Sequence, residues 1–219
     1  MPRREERKVL GVEQVGEYAL VRLERGTLDP GTPGQFFMLE APGRLLPRPL
    51  SLCLAPPGEL QFLVDPVGPG TIALARLERG DAIHVFGPLG NGYDLDVERP
   101  LLVGGGMGIA PLPFLAEALR FPPAVLGFRS EAHAAAAVLM PGAQVVVDPV
   151  LVTDCNLDGF DVLACGPEPM LRALAELCPR AQRAGEAPMA CGYGACYGCA
   201  VEIGGELKRL CVEGPVLSA

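Results

Sequence analysis

The chain has 219 residues, of which 49% are apolar and 20% charged, and its net charge is −8. So much apolar sequence excludes a disordered chain, and the acidic balance argues against nucleic acid and anionic membranes as partners. There are eight cysteines, and the charged start Met1-Pro2-Arg3-Arg4-Glu5-Glu6-Arg7-Lys8 has no apolar core behind it. A reducing cytoplasm is therefore expected, where clustered thiols more often bind metal than pair.

From Lys8 to about Phe86 the pattern predicts a small antiparallel barrel. Strands are expected at Val9–Val15, Tyr18–Leu23, Phe36–Glu40, Leu50–Leu54, Leu60–Val64 and Ala82–Phe86, separated by Gly/Pro turns. A short helix is expected from Thr71 to Leu77, with Thr71 as its N-cap. After Gly87-Pro88-Leu89-Gly90-Asn91-Gly92 the pattern changes to alternating strands and helices, which predicts a parallel sheet with helices on its faces. Strands are expected at Leu101–Val103, Ala124–Phe128, Gln144–Val147 and Phe160–Ala164, and helices at Ala110–Arg120, Glu131–Leu139 and Glu168–Cys178. The uncharged run from Pro100 to Ala116 is broken by glycines and prolines and falls short of a membrane span. A hairpin over Gly204-Gly205 closes the chain. Three units are expected: a β-barrel over 1–96, a shortened α/β nucleotide domain over 97–184 and a small cysteine-bearing domain over 185–219.

The tail carries the strongest chemical signal. Cys191, Cys196 and Cys199 follow the pattern C-x4-C-x2-C, and Cys211 follows after eleven intervening residues. This is the plant-type [2Fe–2S] spacing, in which a tight loop gives three thiolates and a later strand the fourth. Gly192, Gly194 and Gly198 permit the close backbone approach that such a loop needs. Structural zinc also takes four cysteines but usually in two short knuckles, and a pair of disulfides is the plainest alternative.

Two features of the barrel suit phosphate. Arg48-Pro49-Leu50-Ser51 offers a guanidinium for a pyrophosphate and a hydroxyl for a ring nitrogen, and Gly68-Pro69-Gly70-Thr71 precedes the short helix. In the second half, Leu101–Val103 runs into Gly104-Gly105-Gly106-Met107-Gly108, a strand–turn–helix where a nucleotide pyrophosphate can sit, although its spacing is not G-x-G-x-x-G. Cys165-Gly166-Pro167-Glu168-Pro169-Met170 ends the last expected strand, where open α/β sheets bind ligands. Read from the residues alone, Cys165 is a small buried thiol, while Cys53, Cys155, Cys178, His84 and His133 are structural.

Taken in order, these motifs resemble the ferredoxin–NADP reductase superfamily and, within it, the electron-transfer subunits of type B, NAD-linked dihydroorotate dehydrogenase. The resemblance spans nearly the whole chain and is strongest in Met189-Ala190-Cys191-Gly192, the four cysteines and Glu213-Gly214-Pro215-Val216. It implies FAD on the barrel, held by Arg48, Pro49, Leu50, Ser51, by Leu63, Val64 and Asp65, and by Gly70 and Thr71. It implies a [2Fe–2S] cluster on Cys191, Cys196, Cys199 and Cys211, and NAD as acceptor near Gly104, Gly105, Gly106, Cys165 and Gly166. It also implies a partner, an FMN-containing catalytic subunit that oxidises dihydroorotate in pyrimidine synthesis, in a heterotetramer with two of each. Electrons would pass from FMN through the cluster and FAD to NAD+. Two other readings are a flavin/iron–sulfur reductase subunit of another redox complex and a non-catalytic module that holds zinc.

One departure stands out. Val145-Val146-Val147-Asp148-Pro149-Val150-Leu151-Val152-Thr153-Asp154 runs through without the longer Thr-Asp-Asp-Gly-Ser-type segment that family members carry there. Weak NAD binding, or a different acceptor, is the expected consequence.

Overall fold

The computed structural model describes residues 1–203 and 205–217, so Gly204 of the expected hairpin turn lies outside them. Six antiparallel strands form the first sheet: β1 (Arg3–Val15), β2 (Tyr18–Glu24), β3 (Phe36–Leu39), β4 (Arg48–Ser51), β5 (Glu59–Val64) and β6 (Ala82–Leu89). Their order is β4-β3-β6-β1-β2-β5. Beyond β4 the chain bends onto β5: the Cys53 amide donates to the Gln61 carbonyl at 2.8 Å, and the Gln61 amide to the Leu54 carbonyl at 2.9 Å. Those bonds join the two edge strands and close the barrel. Inward residues such as Val21, Leu23, Phe37, Leu60, Phe62 and Val85 are fully buried, and Phe37 meets Phe62 edge-on with centroids 5.5 Å apart.

Helix α1 (Pro69–Ala75) sends Leu74 into this core. It begins two residues before the expected Thr71, because Gly68 takes the cap position and Pro69 the first turn. Thr71 is thus not the N-cap; its hydroxyl accepts from the Gly68 amide at 3.0 Å.

The second half has β7 (Pro100–Gly105), α2 (Leu112–Ala118), β8 (Ala124–Phe128), α3 (Glu131–Ala134), β9 (Gln144–Val147), β10 (Asp161–Cys165), α4 (Glu168–Leu177) and β11 (Gln182–Ala184). Beyond it come the hairpin strands β12 (Ala200–Ile203) and β13 (Glu206–Arg209), then β14 (Val216–Leu217). The second sheet has the order β14-β11-β10-β7-β8-β9, parallel throughout except that β14 runs antiparallel to β11. The tail therefore returns to complete the second sheet, which the sequence pattern did not announce.

Two helices are shorter than expected. The helix expected over Ala110–Arg120 is only α2, preceded by a 3₁₀ turn at Gly106–Ile109, since Pro111 and Pro113 lack amide donors at its start. After Ala134 the helix tightens to a 3₁₀ turn over Ala135–Leu139 before Pro141-Gly142. No helix among the described residues is long and apolar enough to cross a membrane.

The Gly87–Gly92 stretch and the tyrosine after it tie the parts together. The Tyr93 hydroxyl donates to the Ala164 carbonyl of β10 at 2.9 Å, and the Asn91 side-chain amide donates to the Glu213 carbonyl at 3.2 Å. Asp94 and Gln182 exchange two further bonds, at 2.7 and 2.8 Å.

Candidate functional site

Two adjoining cavities lie between the barrel and the parallel sheet. The first, about 450 Å³, is walled by Phe36, Pro49, Leu50, Ser51, Leu63 and Thr71 from the barrel side, and by Ala110, Pro111, Cys165 and Met189 from the other. The second, about 520 Å³, is walled by Gly105, Gly106, Met107 and Gly108, by Arg129, His133 and Asp148, and by Gly166 and Pro167. Asp65, Met107 and Glu186 border both.

The barrel cavity suits a flat ligand with an anionic tail. Its walls are largely apolar, and an anion anchor stands nearby. Arg48 packs on Gly70, where any Cβ would overlap the guanidinium. Among the described residues Arg48 donates only through Nη1, to the Leu46 and Pro47 carbonyls at 2.9 and 3.2 Å. Its Nε and Nη2 remain available to a phosphate oxygen. The expected set Pro49, Leu50, Ser51, Leu63, Asp65 and Thr71 thus meets on one cavity, with Arg48 and Gly70 beside it. Val64 differs: it points into the barrel core and is fully buried.

The second cavity opens at the carboxyl ends of β7, β8 and β10, the place where open α/β sheets take ligands. Gly108 lies so close to the Cys165 carbonyl that no Cβ would fit. Gly105, Gly106 and Gly166 line this cavity. Gly104 does not; it makes room for Leu112 and Leu126 between sheet and helix. Cys165 opens onto the barrel cavity instead, and burial, with Glu186 nearby, pushes its thiol well above the usual range.

Several lining residues escaped the sequence reading. His133, expected to be structural, accepts from Arg129 Nε at 2.9 Å on its Nε2, and its Nδ1 lies 2.8 Å from the Ser130 hydroxyl. Tyr18, only 1% exposed, meets the His133 ring edge-on; burial raises its hydroxyl to about 12. The available signal was Arg129-Ser130 directly after β8. For Glu186 there was none.

The thiol loop sits against the barrel. Cys199 and Cys211 are 2% and 3% exposed and share a core with Phe36, Met38 and Leu89; Cys191 is partly exposed and Cys196 exposed. Gly192 and Gly194 have φ of +78° and +87°, which L side chains rarely adopt. A Cβ at Gly192 would also strike Met38. The loop turns its amides onto sulfur: Gly194 donates to Cys211 at 3.1 Å and Gly198 to Cys196 at 3.4 Å. Burial raises the Cys191 thiol, but the Tyr193, Cys196 and Ala195 amides outweigh it and leave it at about 6. Burial and the neighbouring Cys199 thiol push Cys211 up to about 12.

Cys191 hydrogen-bonds with Cys196 and Cys199 with Cys211, and Cys191 also lies near enough to Cys211 to raise its thiol, so the two pairs adjoin. Among the described residues no three His, Cys, Asp or Glu side chains converge on the site of one metal ion. Two adjacent pairs with amides at sulfur suit a two-iron cluster, one pair to each iron. Arg209 staples the loop: it pairs with Glu213 at 2.6 Å, donates to the Gly194 carbonyl at 3.2 Å, and lies 5.0 Å from the Tyr197 ring.

Comparison with known proteins agrees with this geometry. Residues 186–219 match the model of the iron–sulfur cluster binding domain of dihydroorotate dehydrogenase B. By structure the chain is similar to NADH-dependent reduced ferredoxin–NADP oxidoreductase, with a TM-score of 0.81 and 24% identity, covering 97% of this chain and 87% of that one. It is also similar to phthalate dioxygenase reductase, with a TM-score of 0.66 and 16% identity over 90% and 85% of the two chains. At those identities the likeness shows the fold. The sequence relatives are nearer: the dihydroorotate dehydrogenase B (NAD(+)) electron transfer subunit of Bacillus caldolyticus is 38% identical, over 85% of each chain. That of Clostridium perfringens is 33% identical over 93% of this chain and 90% of its own length. A barrel, a parallel sheet and a cysteine loop that align with those relatives along nearly their whole length place the chain in the family of dihydroorotate dehydrogenase B (NAD(+)) electron transfer subunits.

Proposed function

We propose that this chain conducts electrons from a dihydroorotate-oxidising partner to NAD+ through a [2Fe–2S] cluster and FAD. When bound, the cluster carries electrons singly and the flavin pairs them for hydride transfer to nicotinamide. One observation carries the reading. Phe36 shares the buried core of Cys199 and Cys211 and also walls the barrel cavity, and Met189, packed against that core, does the same. The thiol loop and the flavin cavity are thus one packed unit.

The chain's own residues divide the work. Cys191, Cys196, Cys199 and Cys211 hold the cluster, and Arg209 and Glu213 hold the loop that presents them. Arg48 faces the flavin pyrophosphate while Pro49, Leu50, Ser51, Leu63, Asp65 and Thr71 surround the ring or its chain; Val64 contributes from the core side and Gly70 gives Arg48 room. Gly105, Gly106 and Gly166 line the nucleotide cavity, Gly104 shapes its floor, and Cys165 stands on the flavin side of the boundary. Both cavities share the wall at Met107, which brings flavin and nicotinamide side by side. The three functional units run over 1–96, 97–184 and 185–219.

Cys196 is exposed, with Tyr193 and Tyr197 open to solvent at 61% and 64% beside it. This face receives the partner, an FMN-bearing catalytic subunit, in an assembly with two copies of each. The test is an anaerobic visible spectrum with iron, sulfide and flavin quantified on one sample. Two irons, two sulfides and one FAD per chain are expected; zinc without flavin overturns the proposal.

A further inference from the structure

A phenol taken out of water without a hydrogen-bond partner costs free energy, so buried tyrosines normally find one. Two tyrosines are buried at the seam between the barrel and the parallel sheet, Tyr18 and Tyr93. Tyr93 donates to the Ala164 carbonyl at 2.9 Å. Tyr18 is 1% exposed, yet among the described residues its hydroxyl has no hydrogen-bond partner, and the side chain lines the nucleotide cavity.

We infer that Tyr18 is a nucleotide-binding residue whose hydroxyl donates to a pyrophosphate oxygen of the dinucleotide that enters this cavity. This role rests on the NAD+ reading above and assigns part of the binding to the barrel.

The fold delivers Tyr18 to the cavity and fixes it there. Side chains alternate along β2: Val21 and Leu23 turn into the barrel core, whereas Tyr18 and Leu20 turn to the seam with Ile109, Ala134 and Ala136. The turn before β2 is pressed onto α3. Gly16 has a φ of +59°, and a Cβ there would overlap the Ala132 carbonyl. The Tyr18 ring then meets the His133 ring edge-on, with centroids 5.6 Å apart. A barrel residue is thus held in the wall of a cavity otherwise built by the second half.

The surrounding charges say which oxygen the hydroxyl serves. Burial first, and the Asp65 carboxylate second, raise it to about 12, so it is a neutral donor near pH 7. The Arg129 charge acts on it in the opposite sense and lies along the same cavity. Arg129 spends Nε and Nη2 on His133 Nε2, which leaves Nη1 for a ligand among the described residues. Gly105 and Gly106 complete the wall with backbone that a phosphate can approach closely. A neutral donor, a cation and a glycine turn around one cavity suit an anion with several oxygens. Ribose hydroxyls are better matched to the carboxylates of Asp65 and Asp148, which accept. With the run after β9 so short, a grip from the barrel side counts for more.

The test removes the hydroxyl and keeps the ring. On the FAD- and cluster-loaded chain, calorimetry measures binding of NAD+ and of ADP-ribose, which carries the pyrophosphate but no nicotinamide. In Tyr18→Phe both are expected to bind roughly 10-fold more weakly, the scale of one hydrogen bond to a charged group. Flavin content and melting temperature should stay at wild-type values. Stopped-flow reduction by NADH should show the same rise in half-saturation with the limiting rate unchanged, because the contact is made equally before and during hydride transfer. Unchanged affinity overturns the assignment. So does a loss confined to NAD+, which would put the hydroxyl on the nicotinamide half, or a fall in limiting rate with affinity intact.

A second measurement needs no variant. The chain has four tyrosines, and with ¹³C at the hydroxyl-bearing ring carbon one of their signals should move when ADP-ribose is added. No movement at saturating ADP-ribose overturns the assignment. Wild-type chain that binds neither NAD+ nor ADP-ribose fails the functional reading itself, whereas wild-type binding matched by Tyr18→Phe fails only the role of Tyr18.

Discussion

The two cavities are neighbours built in opposite ways. The barrel cavity is walled by side chains from β4, β5 and α1 of a closed sheet, with Arg48 wedged on Gly70. The nucleotide cavity is walled by turns: a 3₁₀ segment at Gly106–Ile109, the four-residue α3 and the irregular run over 148–153. Around that run Val150 and Leu151 are 48% and 52% exposed. A closed sheet fixes its walls through ladder hydrogen bonds, whereas these turns are held by local ones, such as the Asp148 amide to the Phe128 carbonyl at 3.0 Å and the Leu151 amide to the Asp154 carboxylate at 2.8 Å, and carry exposed apolar side chains. The difference suits a resident cofactor on one side and a substrate that comes and goes on the other.

The largest expected effect breaks the link between the thiol loop and the barrel. Cys199→Ser removes a thiol proposed as a cluster ligand, buried in the core shared with Phe36 and Met38. Iron and sulfide should fall from two of each per chain to near zero, while FAD on the barrel is retained. Loss of FAD at the same time would show that the loop and barrel fold as one. Next in size is Arg48→Ala. Charge-assisted hydrogen bonds are worth ~1.5–3 kcal/mol, so flavin affinity should drop roughly 10- to 100-fold. Fluorescence titration of the apo chain with FAD measures it, and an unchanged affinity would remove Arg48 from the pyrophosphate site.

The nucleotide side sharpens the contrast. Because the chain passes directly from β9 through Asp148 to Thr153, we predict weak capture of NADH, with half-saturation above the micromolar range. Arg129→Ala should raise that value only about 5-fold, close to 1 kcal/mol, since Arg129 is exposed at the rim. Stopped-flow reduction of the bound flavin across NADH concentrations gives both numbers. Micromolar saturation would mean that the turns over 148–153 replace the longer segment.

What the sequence revealed, and what it hid, follows the same line between local and distant. Cys191, Cys196 and Cys199 were readable as a group because spacing alone keeps them on one tight loop, and Arg48 to Ser51 because they form one short strand. Phe36 and Glu186 were not, since each joins the site only when the tail packs on the barrel. β14 has two residues, too few for any period to show, and exists because β11 offers it an edge. Thr71 misled because the hydroxyl that suits an N-cap serves equally at the third helical position. Gly104 misled because a glycine-rich run does not say which member faces ligand and which faces helix α2.

The smallest effect lies inside the second half, where β10 starts beside β7. Asp161, at the start of β10, accepts from the Glu98 and Arg99 amides at 3.0 Å each, just before β7 begins. The Arg99 amide first, then the Glu98 amide and the nearby Arg180 and Arg99 charges, hold its carboxyl below the ordinary range. A carboxyl with a depressed folded pKa contributes stability that is fully present above its unfolded value, about 3.9, and is lost as pH falls through the lower folded value. Asp161→Asn keeps the shape but gives up the charge, so it should destabilise the chain by about 1 kcal/mol or less at pH 7, the group being half exposed. As pH falls below that unfolded value the gap between the two proteins should narrow. Paired urea melts at pH 7 and pH 3 read the difference. A gap that does not narrow at pH 3 would mean that this contact depends on the shape of Asp161 and not on its charge.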